Sequence, residues 1–244
     1  MKKHIPNLLT LGNLLCGTIA IIFAIKGDFV GTAILVASGI VFDFLDGFVA
    51  RMLNVQGELG KQLDSLADMV TSGVVPGIVM LQLLINAIDL DASAYFGIDT
   101  YGATGSNLPY LGLLLTLGAC YRLANFNIDT RQSDSFIGLP TPAMTLLVIS
   151  LPLIIEFSNQ LFFINVINNQ YFLITVTLLL TFLMNAEIKL FALKFKSFGF
   201  KENALKYIFL AISILLLVVI KFVAVPLIIL LYVGLSLFNK TKKV

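Results

Sequence analysis

The sequence predicts an all-α integral membrane protein, a bundle of about eight transmembrane helices with both termini in the cytoplasm. Three observations predict it: the composition of the chain, the length of its apolar segments and the distribution of its basic residues. Of 244 residues, 58% are hydrophobic and 12% are charged, and the mean hydropathy is +0.96. A soluble domain carries about twice this share of charged residues. The composition therefore excludes an ordinary soluble enzyme and indicates a membrane protein.

Eight apolar segments follow one another along the chain, and each is a candidate helix. Several approach the roughly 20 residues needed to cross a bilayer, and a few are shorter. Only Lys221 and Phe222 separate the last two segments, which predicts a tight helical hairpin, although one long helix kinked near Pro226 would fit the same residues. The segments cover residues 7–25, 30–53, 61–88, 109–127, 141–157, 170–185, 204–220 and 223–238.

The lysines and arginines predict the orientation, because the cytoplasmic loops of membrane proteins are enriched in both. If all eight segments cross the membrane, every one of the sixteen basic residues except Lys26 and Lys221 falls on one side. The loop over 89–108, on the other side, carries three aspartates and no basic residue. We therefore expect both termini to be cytoplasmic.

Four aspartates are the most informative residues for function, because charged side chains within membrane helices are costly and usually functional. Asp43 and Asp46 are three residues apart in the second segment, so they share one helical face. Asp64 and Asp68 are four residues apart in the third segment and share a face in the same way. The connection over 52–59 is short enough for the two helices to be antiparallel neighbours. The four carboxylates are therefore predicted to point into one small volume near the cytoplasmic ends of both helices.

This acidic cluster is predicted to bind divalent cations. Four neighbouring carboxylates cannot all remain ionised without a counter-charge, and Arg51 neutralises at most one of them. Ligands that are all oxygen, without histidine or cysteine, favour Mg²⁺, Mn²⁺ or Ca²⁺ over zinc. Two such ions close together are a recurring device for holding a diphosphate during displacement at phosphorus. A cation-coupled transporter is the alternative, but the acids lie near the helix ends and no matching pair occurs in the second half of the chain.

Eight residues in and around the two aspartate pairs form a spaced motif. They are Asp43, Asp46, Gly47, Ala50, Arg51, Gly60, Asp64 and Asp68. The pattern Asp-x2-Asp-Gly-x2-Ala-Arg, eight residues, then Gly-x3-Asp-x3-Asp resembles the signature of the CDP-alcohol phosphatidyltransferase family at every fixed position. Chance agreement at eight constrained positions is improbable.

Three further stretches are similar to the branch of this family that uses serine as acceptor. They read Ile5-Pro6-Asn7-Leu-Leu-Thr10-Leu-Gly12-Asn13-Leu-Leu-Cys-Gly17, Arg122-Leu-Ala-Asn-Phe-Asn127 and Phe136-Ile-Gly138-Leu-Pro140-Thr-Pro142-Ala143. The resemblance covers roughly residues 4–145. It implies one membrane-embedded domain over 1–244, with a six-helix core over about 1–206 and an added C-terminal helical pair over about 204–238. It also implies a homodimer.

The resemblance further implies a reaction. CDP-diacylglycerol contains two phosphorus atoms, and an alcohol attacks the one that bears the diacylglycerol group. CMP leaves, and a phosphodiester lipid forms. In the serine branch, the alcohol is L-serine and the product is phosphatidylserine. Glycerol 3-phosphate or an inositol phosphate is the alternative acceptor, but its phosphate would require more basic residues near the pocket than this sequence offers. The active site is expected to face the cytoplasm, in the cell membrane.

Residue roles follow from the same resemblance. All four motif aspartates are implied to bind two ions of Mg²⁺ or Mn²⁺, or else Ca²⁺, and Asp68 is implied to take the proton of the serine hydroxyl. The residues implied to bind CDP-diacylglycerol are Gly47, Ala50, Arg51, Gly60, Asn13 and Thr10. For Thr10 and Asn13, ordinary polar contact between helices is the alternative. Arg122 or Arg131 is implied to bind the carboxylate of serine.

Overall fold

The computed structural model describes residues 4–88, 107–129, 135–191 and 200–240, and these form a helical bundle with one short pair of strands. The helices are α1 (His4–Ile25), α2 (Phe29–Met52), α3 (Glu58–Met69), α4 (Val75–Ala87), α5 (Leu114–Ile128), α6 (Thr141–Phe157), α7 (Leu161–Ile167), α8 (Gln170–Asn185), α9 (Phe200–Ile220) and α10 (Ala224–Lys240). A π-helical turn (Val70–Val74) joins α3 to α4, and 3₁₀ turns precede α5 (Leu108–Leu113) and α10 (Lys221–Val223). The predicted all-α class is confirmed.

Five helical stretches of the described residues are long and apolar enough to cross a membrane. They are His4–Ile25, Phe29–Met52, Glu58–Ala87, Leu108–Ile128 and Asn203–Leu237. A sixth results if α7 and α8, which are bent by 68° to each other, are counted as one span. Each predicted apolar segment coincides with a helix, yet length and hydropathy alone support five or six spans where the sequence predicts about eight.

The last of these stretches folds back on itself. The ring centroids of Phe209 in α9 and Tyr232 in α10 are 5.8 Å apart. In a continuous helix, with a rise of about 1.5 Å per residue, the two residues would be roughly 35 Å apart. The chain reverses at the 3₁₀ turn, where Lys221 has a φ of 48°, and α10 then packs against α6 and against the strand Lys189–Phe191. Residues 200–240 are therefore two antiparallel arms, not one kinked helix.

The first two helices form an antiparallel pair closed by a tight turn. Gly27 has a φ of 76°, which favours glycine, and the side chain of Asp28 caps α2 by accepting from the backbone N–H of Gly31 at 2.8 Å. From α4, the amide nitrogen of Gln82 donates to the carbonyl of Ile25 at 2.8 Å and so caps the end of α1. The backbone groups at this end of the pair are thereby satisfied, as a bilayer requires.

The bundle has its core around α4 and α6, where most side chains are buried. In α1, by contrast, the buried side chains are small or polar, and large apolar ones such as Leu8 and Leu15 are exposed. This inside-out arrangement is typical of membrane helices, because lipid solvates leucine while small residues allow helices to approach closely.

Strands β1 (Ser135–Ile137) and β2 (Lys189–Phe191) pair antiparallel and join the chain after α5 to the chain after α8. Gly138 follows β1 with a φ of 74°, and a Cβ at this position would clash with the carbonyl of Met184. Its backbone N–H donates to the carbonyl of Ile188 at 2.9 Å. Helix α6 begins directly afterwards, with Pro142 in its first turn. The segment thus fixes the entry of α6 beside the end of α8.

Candidate active site

Three of the four motif aspartates meet between α2 and α3. Carboxylate oxygens of Asp43, Asp64 and Asp68 all lie within 4.8 Å of one another, and all three side chains are partly buried. The spacing of four residues places Asp64 and Asp68 on one face of α3, while Asp43 approaches from the last turns of α2. Three oxygen donors converging at this distance fit a hard divalent cation, and the absence of nitrogen or sulfur from the set disfavours zinc.

Asp46 lies beside this group but outside it. Its side chain is only 7% exposed, and its Oδ2 accepts a hydrogen bond from Oγ1 of Thr10 at 2.5 Å. Its charge still interacts with those of Asp43, Asp64 and Asp68. The predicted set of four acids is thus three converging carboxylates with a fourth that α1 fixes at their edge.

Helix α1 also binds Asp68. The side-chain amide nitrogen of Asn13 donates to Oδ1 of Asp68 at 3.2 Å, and Asn13 is 1% exposed. Its own Oδ1 has no hydrogen-bond partner among the described residues. The face of α1 that carries Thr10 and Asn13 therefore packs onto both motif helices, and each of these side chains contacts one aspartate.

A cavity of about 290 Å³ opens on one side of the acids. Its lining includes every residue predicted to bind the donor except Asn13, together with Asn7 and Lys61, which the sequence analysis did not single out. The lining residues are Pro6, Asn7, Thr10, Asp46, Gly47, Ala50, Arg51, Val55, Gln56, Gly57, Gly60, Lys61 and Asp64. A Cβ added at Gly47 would meet no atom within 4 Å. Here glycine leaves open space, whereas at Gly39 a Cβ would come within 2.9 Å of the side chain of Thr71.

A second cavity, of about 420 Å³, lies at the end of α5. It is lined by Arg122, Asn125, Ile128, Asp129, Ile137, Met184, Asn185, Ala186 and Glu187. Arg122 is only 7% exposed, and its Nε has no hydrogen-bond partner among the described residues. Its charge interacts with that of Asp68, so Arg122 connects the second cavity electrostatically to the acids. Arg131, the other predicted acceptor residue, lies outside the described residues.

A polar clamp connects the motif helix to the helix of Arg122. From α3, Nζ of Lys61 donates to the carbonyl of Asn127 at 2.7 Å. The side-chain amide of Asn127 donates to Oγ of Ser65 at 2.8 Å. Lys61 and Ser65 are four residues apart and lie beside the face that carries Asp64 and Asp68. This spacing could have indicated in the sequence that both side chains contact the same neighbouring helix. The clamp joins α3, which lines the first cavity, to α5, which lines the second.

The resemblance is confirmed by comparison with known proteins. The profile of a family described as CDP-alcohol phosphatidyltransferase matches residues 3–234. The chain is 33% identical over 210 residues to a Helicobacter pylori protein named CDP-diacylglycerol--serine O-phosphatidyltransferase, which covers 85% of this chain and 80% of the relative. A Bacillus subtilis protein of the same name is 33% identical over 154 residues, covering 61% of this chain and 76% of the relative.

A third relative carries a different name. It is an archaetidylserine synthase from Methanothermobacter thermautotrophicus, 32% identical over 149 residues, covering 60% of this chain and 56% of the relative. The profile match spans nearly the whole chain, including all eight residues of the spaced motif. With its apolar helices and its acidic cluster, this integral membrane protein belongs to the CDP-alcohol phosphatidyltransferase family.

Proposed function

We propose that this enzyme transfers the phosphatidyl group of CDP-diacylglycerol to L-serine and so produces phosphatidylserine and CMP. The observation that carries the proposal is the convergence of the carboxylates of Asp43, Asp64 and Asp68 next to a cavity that Asp64 itself lines. The names of the relatives support serine as the acceptor. A transferase for two substrates needs two binding spaces, and the second cavity, lined by Arg122, is the proposed space for the acceptor.

The donor occupies the cavity lined by Gly47 and Arg51. Its diphosphate lies beside the basic side chains of Arg51 and Lys61, because both reach the cavity wall. A guanidinium binds phosphate oxygens in a bidentate fork. The open space at Gly47 lets the nucleotide approach the backbone of α2. Apolar residues of α1 and α2, such as Leu8 and Phe44, are exposed. The acyl chains of the donor lie against such residues and remain in contact with lipid.

The four motif aspartates hold the divalent cofactor, which we propose to be two ions of Mg²⁺ or Mn²⁺, with Ca²⁺ as a weaker substitute. When bound, the ions neutralise the diphosphate and the charge that develops on departing CMP. The protein fixes the ligands before the substrates arrive. Thr10 holds Asp46 and Asn13 holds Asp68, so two of the four carboxylates cannot rotate freely. Such preorganisation lowers the cost of reaching the transition state.

Asp68 is the proposed general base. Asn13 occupies its Oδ1, which leaves Oδ2 to accept the proton of the attacking serine hydroxyl. The bond between serine oxygen and phosphorus forms as the bond between phosphorus and the CMP oxygen breaks, and the proton passes to Asp68. The charge of Asp68 interacts with that of Arg122, the residue proposed to bind serine, which supports Asp68 as the base for the serine hydroxyl.

Serine occupies the second cavity, with its carboxylate on Arg122. The guanidinium is buried, and its Nε is unpaired among the described residues, so a carboxylate ligand would satisfy it. The lining of the cavity also includes Asp129 and Glu187. Charges of both signs suit a zwitterionic amino acid better than the phosphate of glycerol 3-phosphate or an inositol phosphate.

The proposed topology has eight spans, both termini in the cytoplasm and the active site facing the cytoplasm, in the cell membrane. The antiparallel arms α9 and α10 support counting residues 200–240 as two spans. The concentration of basic residues on one side supports the orientation. We further propose that the enzyme is a homodimer, with the core over about 1–206 and the C-terminal pair over about 204–238 as one domain.

The test is a comparison of acceptors. Purified protein receives CDP-diacylglycerol, Mn²⁺ or Mg²⁺, and labelled serine, glycerol 3-phosphate or inositol phosphate in separate reactions. The proposal predicts labelled lipid and an equal amount of CMP with serine only. Product with glycerol 3-phosphate and none with serine would contradict the acceptor. No CMP with any alcohol would contradict the reaction itself and would favour an ion-transport role for the aspartates.

A further inference from the structure

The π-helical turn at Val70–Val74 begins two residues after Asp68, in the middle of a continuous helical stretch over Glu58–Ala87. The backbone N–H of Val75 donates to the carbonyl of Val70, five residues back. Single π-turns within α-helices are rare and frequently lie at functional sites. Here the turn separates the half of the helix that carries the motif aspartates from the half that forms the core of the bundle.

Three threonine hydroxyls attach this turn to neighbouring helices. The bonds involve three consecutive residues of the turn. Oγ1 of Thr71 donates to the backbone carbonyl of Asn13 in α1 at 3.1 Å. Oγ1 of Thr145 in α6 donates to the carbonyl of Ser72 at 3.0 Å. Oγ1 of Thr116 in α5 donates to the carbonyl of Gly73 at 3.0 Å. The turn is therefore attached to three different helices, and its irregular carbonyls gain partners within the membrane.

Close packing leaves the turn little freedom. Thr71, Ser72 and Gly73 are all buried. A Cβ added at Gly17 would clash with Thr71, and one added at Gly73 would come within 3.2 Å of Cβ of Ala119. Helices α1 and α5 therefore approach the turn as closely as their glycine contacts permit, and the turn cannot shift without moving them.

Asn13 connects the turn to the catalytic carboxylate. Its backbone carbonyl accepts from Thr71, and its side-chain amide donates to Asp68. The π-turn and Asp68 are thus fixed to the same residue of α1. We infer that Thr71, Thr116 and Thr145 are positioning residues: their hydroxyls hold the π-turn and thereby set the position of Asp68 and Asp64 relative to Asp43. None of the three threonines belongs to the spaced motif.

Thr145→Val tests the inference, because valine keeps the shape of threonine and removes the hydroxyl. Thr145 also donates to the carbonyl of Thr141 in its own helix at 2.9 Å, so the control must remove such a bond alone. Thr177→Val does so: Thr177 is fully buried, and among the described residues its hydroxyl donates only to the carbonyl of Leu173, four residues back, at 2.8 Å. Thr145→Ser restores the hydroxyl.

The first readout is Mn²⁺ binding to the purified, substrate-free protein, measured by electron paramagnetic resonance. Loss of an outer partner of a metal ligand typically weakens metal affinity by about tenfold or more, and hydrogen bonds between membrane helices are often weaker than that. We expect Thr145→Val to weaken Mn²⁺ binding about three- to tenfold, with Thr145→Ser and Thr177→Val within about twofold of the unmodified protein. Thr116→Val is the second test variant, should Thr145→Val fail to fold.

The second readout is CMP release, which rests on the proposed function, whereas Mn²⁺ binding does not. We expect kcat to fall in Thr145→Val while KM for serine stays within about twofold. Unchanged Mn²⁺ binding in folded Thr145→Val and Thr116→Val, or equal weakening in Thr177→Val, would overturn the inference. So would failure of the unmodified protein to bind Mn²⁺. If the unmodified protein binds Mn²⁺ but releases no CMP, the proposed function fails and the Mn²⁺ comparison still decides the role of the threonines.

Discussion

The two cavities beside the acidic cluster differ in how the chain builds them. The cavity assigned to the donor is lined by residues between Pro6 and Asp64, all from the first three helices and their turns. The cavity assigned to the acceptor combines the end of α5, strand β1 and the end of α8, which are distant in sequence. The first is a local structure that a short motif can encode, and the second depends on how the remaining helices pack. On the proposed assignment, the family chemistry lies in the first part of the chain and the choice of alcohol in the second.

The largest loss of activity is expected from substitution of the motif aspartates. Asp68→Asn removes the proposed base while keeping the size of the side chain, and we expect kcat to fall by about 10³-fold, within the range for loss of a general acid or base. Glu58→Gln is the control, because Glu58 is an exposed carboxylate at the start of the same helix. CMP release measures both. Substantial turnover in Asp68→Asn would remove the base role.

Loss of metal ligands should be as severe. In Asp43→Ala and Asp64→Ala, we expect activity and Mn²⁺ binding to be lost together, because both carboxylates belong to the converging group. CMP release measures the activity, and electron paramagnetic resonance of added Mn²⁺ measures the binding. Normal turnover of either variant in the presence of a chelator would show that the cluster is not a metal site.

Replacing each of the two arginines with lysine tests the assignment of one cavity to the donor and the other to the acceptor. Arg122→Lys should raise KM for serine about 10- to 100-fold and leave KM for CDP-diacylglycerol nearly unchanged, because lysine cannot replace a bidentate guanidinium. Arg51→Lys should do the reverse. Steady-state kinetics with each substrate varied in turn measures both constants. If both variants affect the same substrate, the assignment of one cavity is wrong.

Two glycines should separate binding from stability. Gly47→Ala adds a methyl group to open space in the donor cavity, so KM for CDP-diacylglycerol should rise a few-fold with no loss of thermal stability. Gly39→Ala would place the same methyl group within 2.8 Å of Oδ1 of Asn13, so we expect a loss of about 1–3 kcal/mol from overpacking. Thermal unfolding in detergent measures stability. Equal destabilisation by both substitutions would contradict the contrast between the two glycines.

The smallest effect is expected from the clamp that connects the two cavities. Ser65→Ala removes its hydrogen bonds with Asn127, and we expect a cost of about 0.5–1.5 kcal/mol with both KM values shifting by the same small factor. Ser38→Ala is the control, because the exposed hydroxyl of Ser38 bonds only to the carbonyl of Ile34 in its own helix. A change confined to one substrate would show that the clamp serves one cavity alone.

Local patterns in the sequence predicted the all-α class and the acids of the motif. Spacings of three and four residues are enough to place Asp64 and Asp68 on one face of a helix. They could not predict that Thr10 binds Asp46 across 36 residues of sequence, because that contact depends on the packing of α1. The π-turn was also missed, although polar and helix-breaking residues occur there, in Thr71-Ser72-Gly73 and at Pro76.

The acceptor side was harder to predict for the same reason. Arg122 stands in a recognisable stretch, but Asn185 and Glu187 enter the second cavity only because α8 packs against α5. The number of spans depends on tertiary structure as well. Asn169 lies between α7 and α8 and caps α8 by accepting from the backbone N–H of Tyr171 at 2.9 Å. The bend between the two helices lies at this cap. Hydropathy alone cannot predict these contacts.

In the proposed reaction, the hydroxyl oxygen of serine attacks phosphorus and remains in the lipid. Serine labelled with ¹⁸O in its hydroxyl group tests this step, with mass spectrometry of both products. We expect phosphatidylserine to carry the heavy oxygen and CMP to lack it, because the serine oxygen becomes the new bridge to phosphorus. Lipid without the label, or label in CMP, would contradict it.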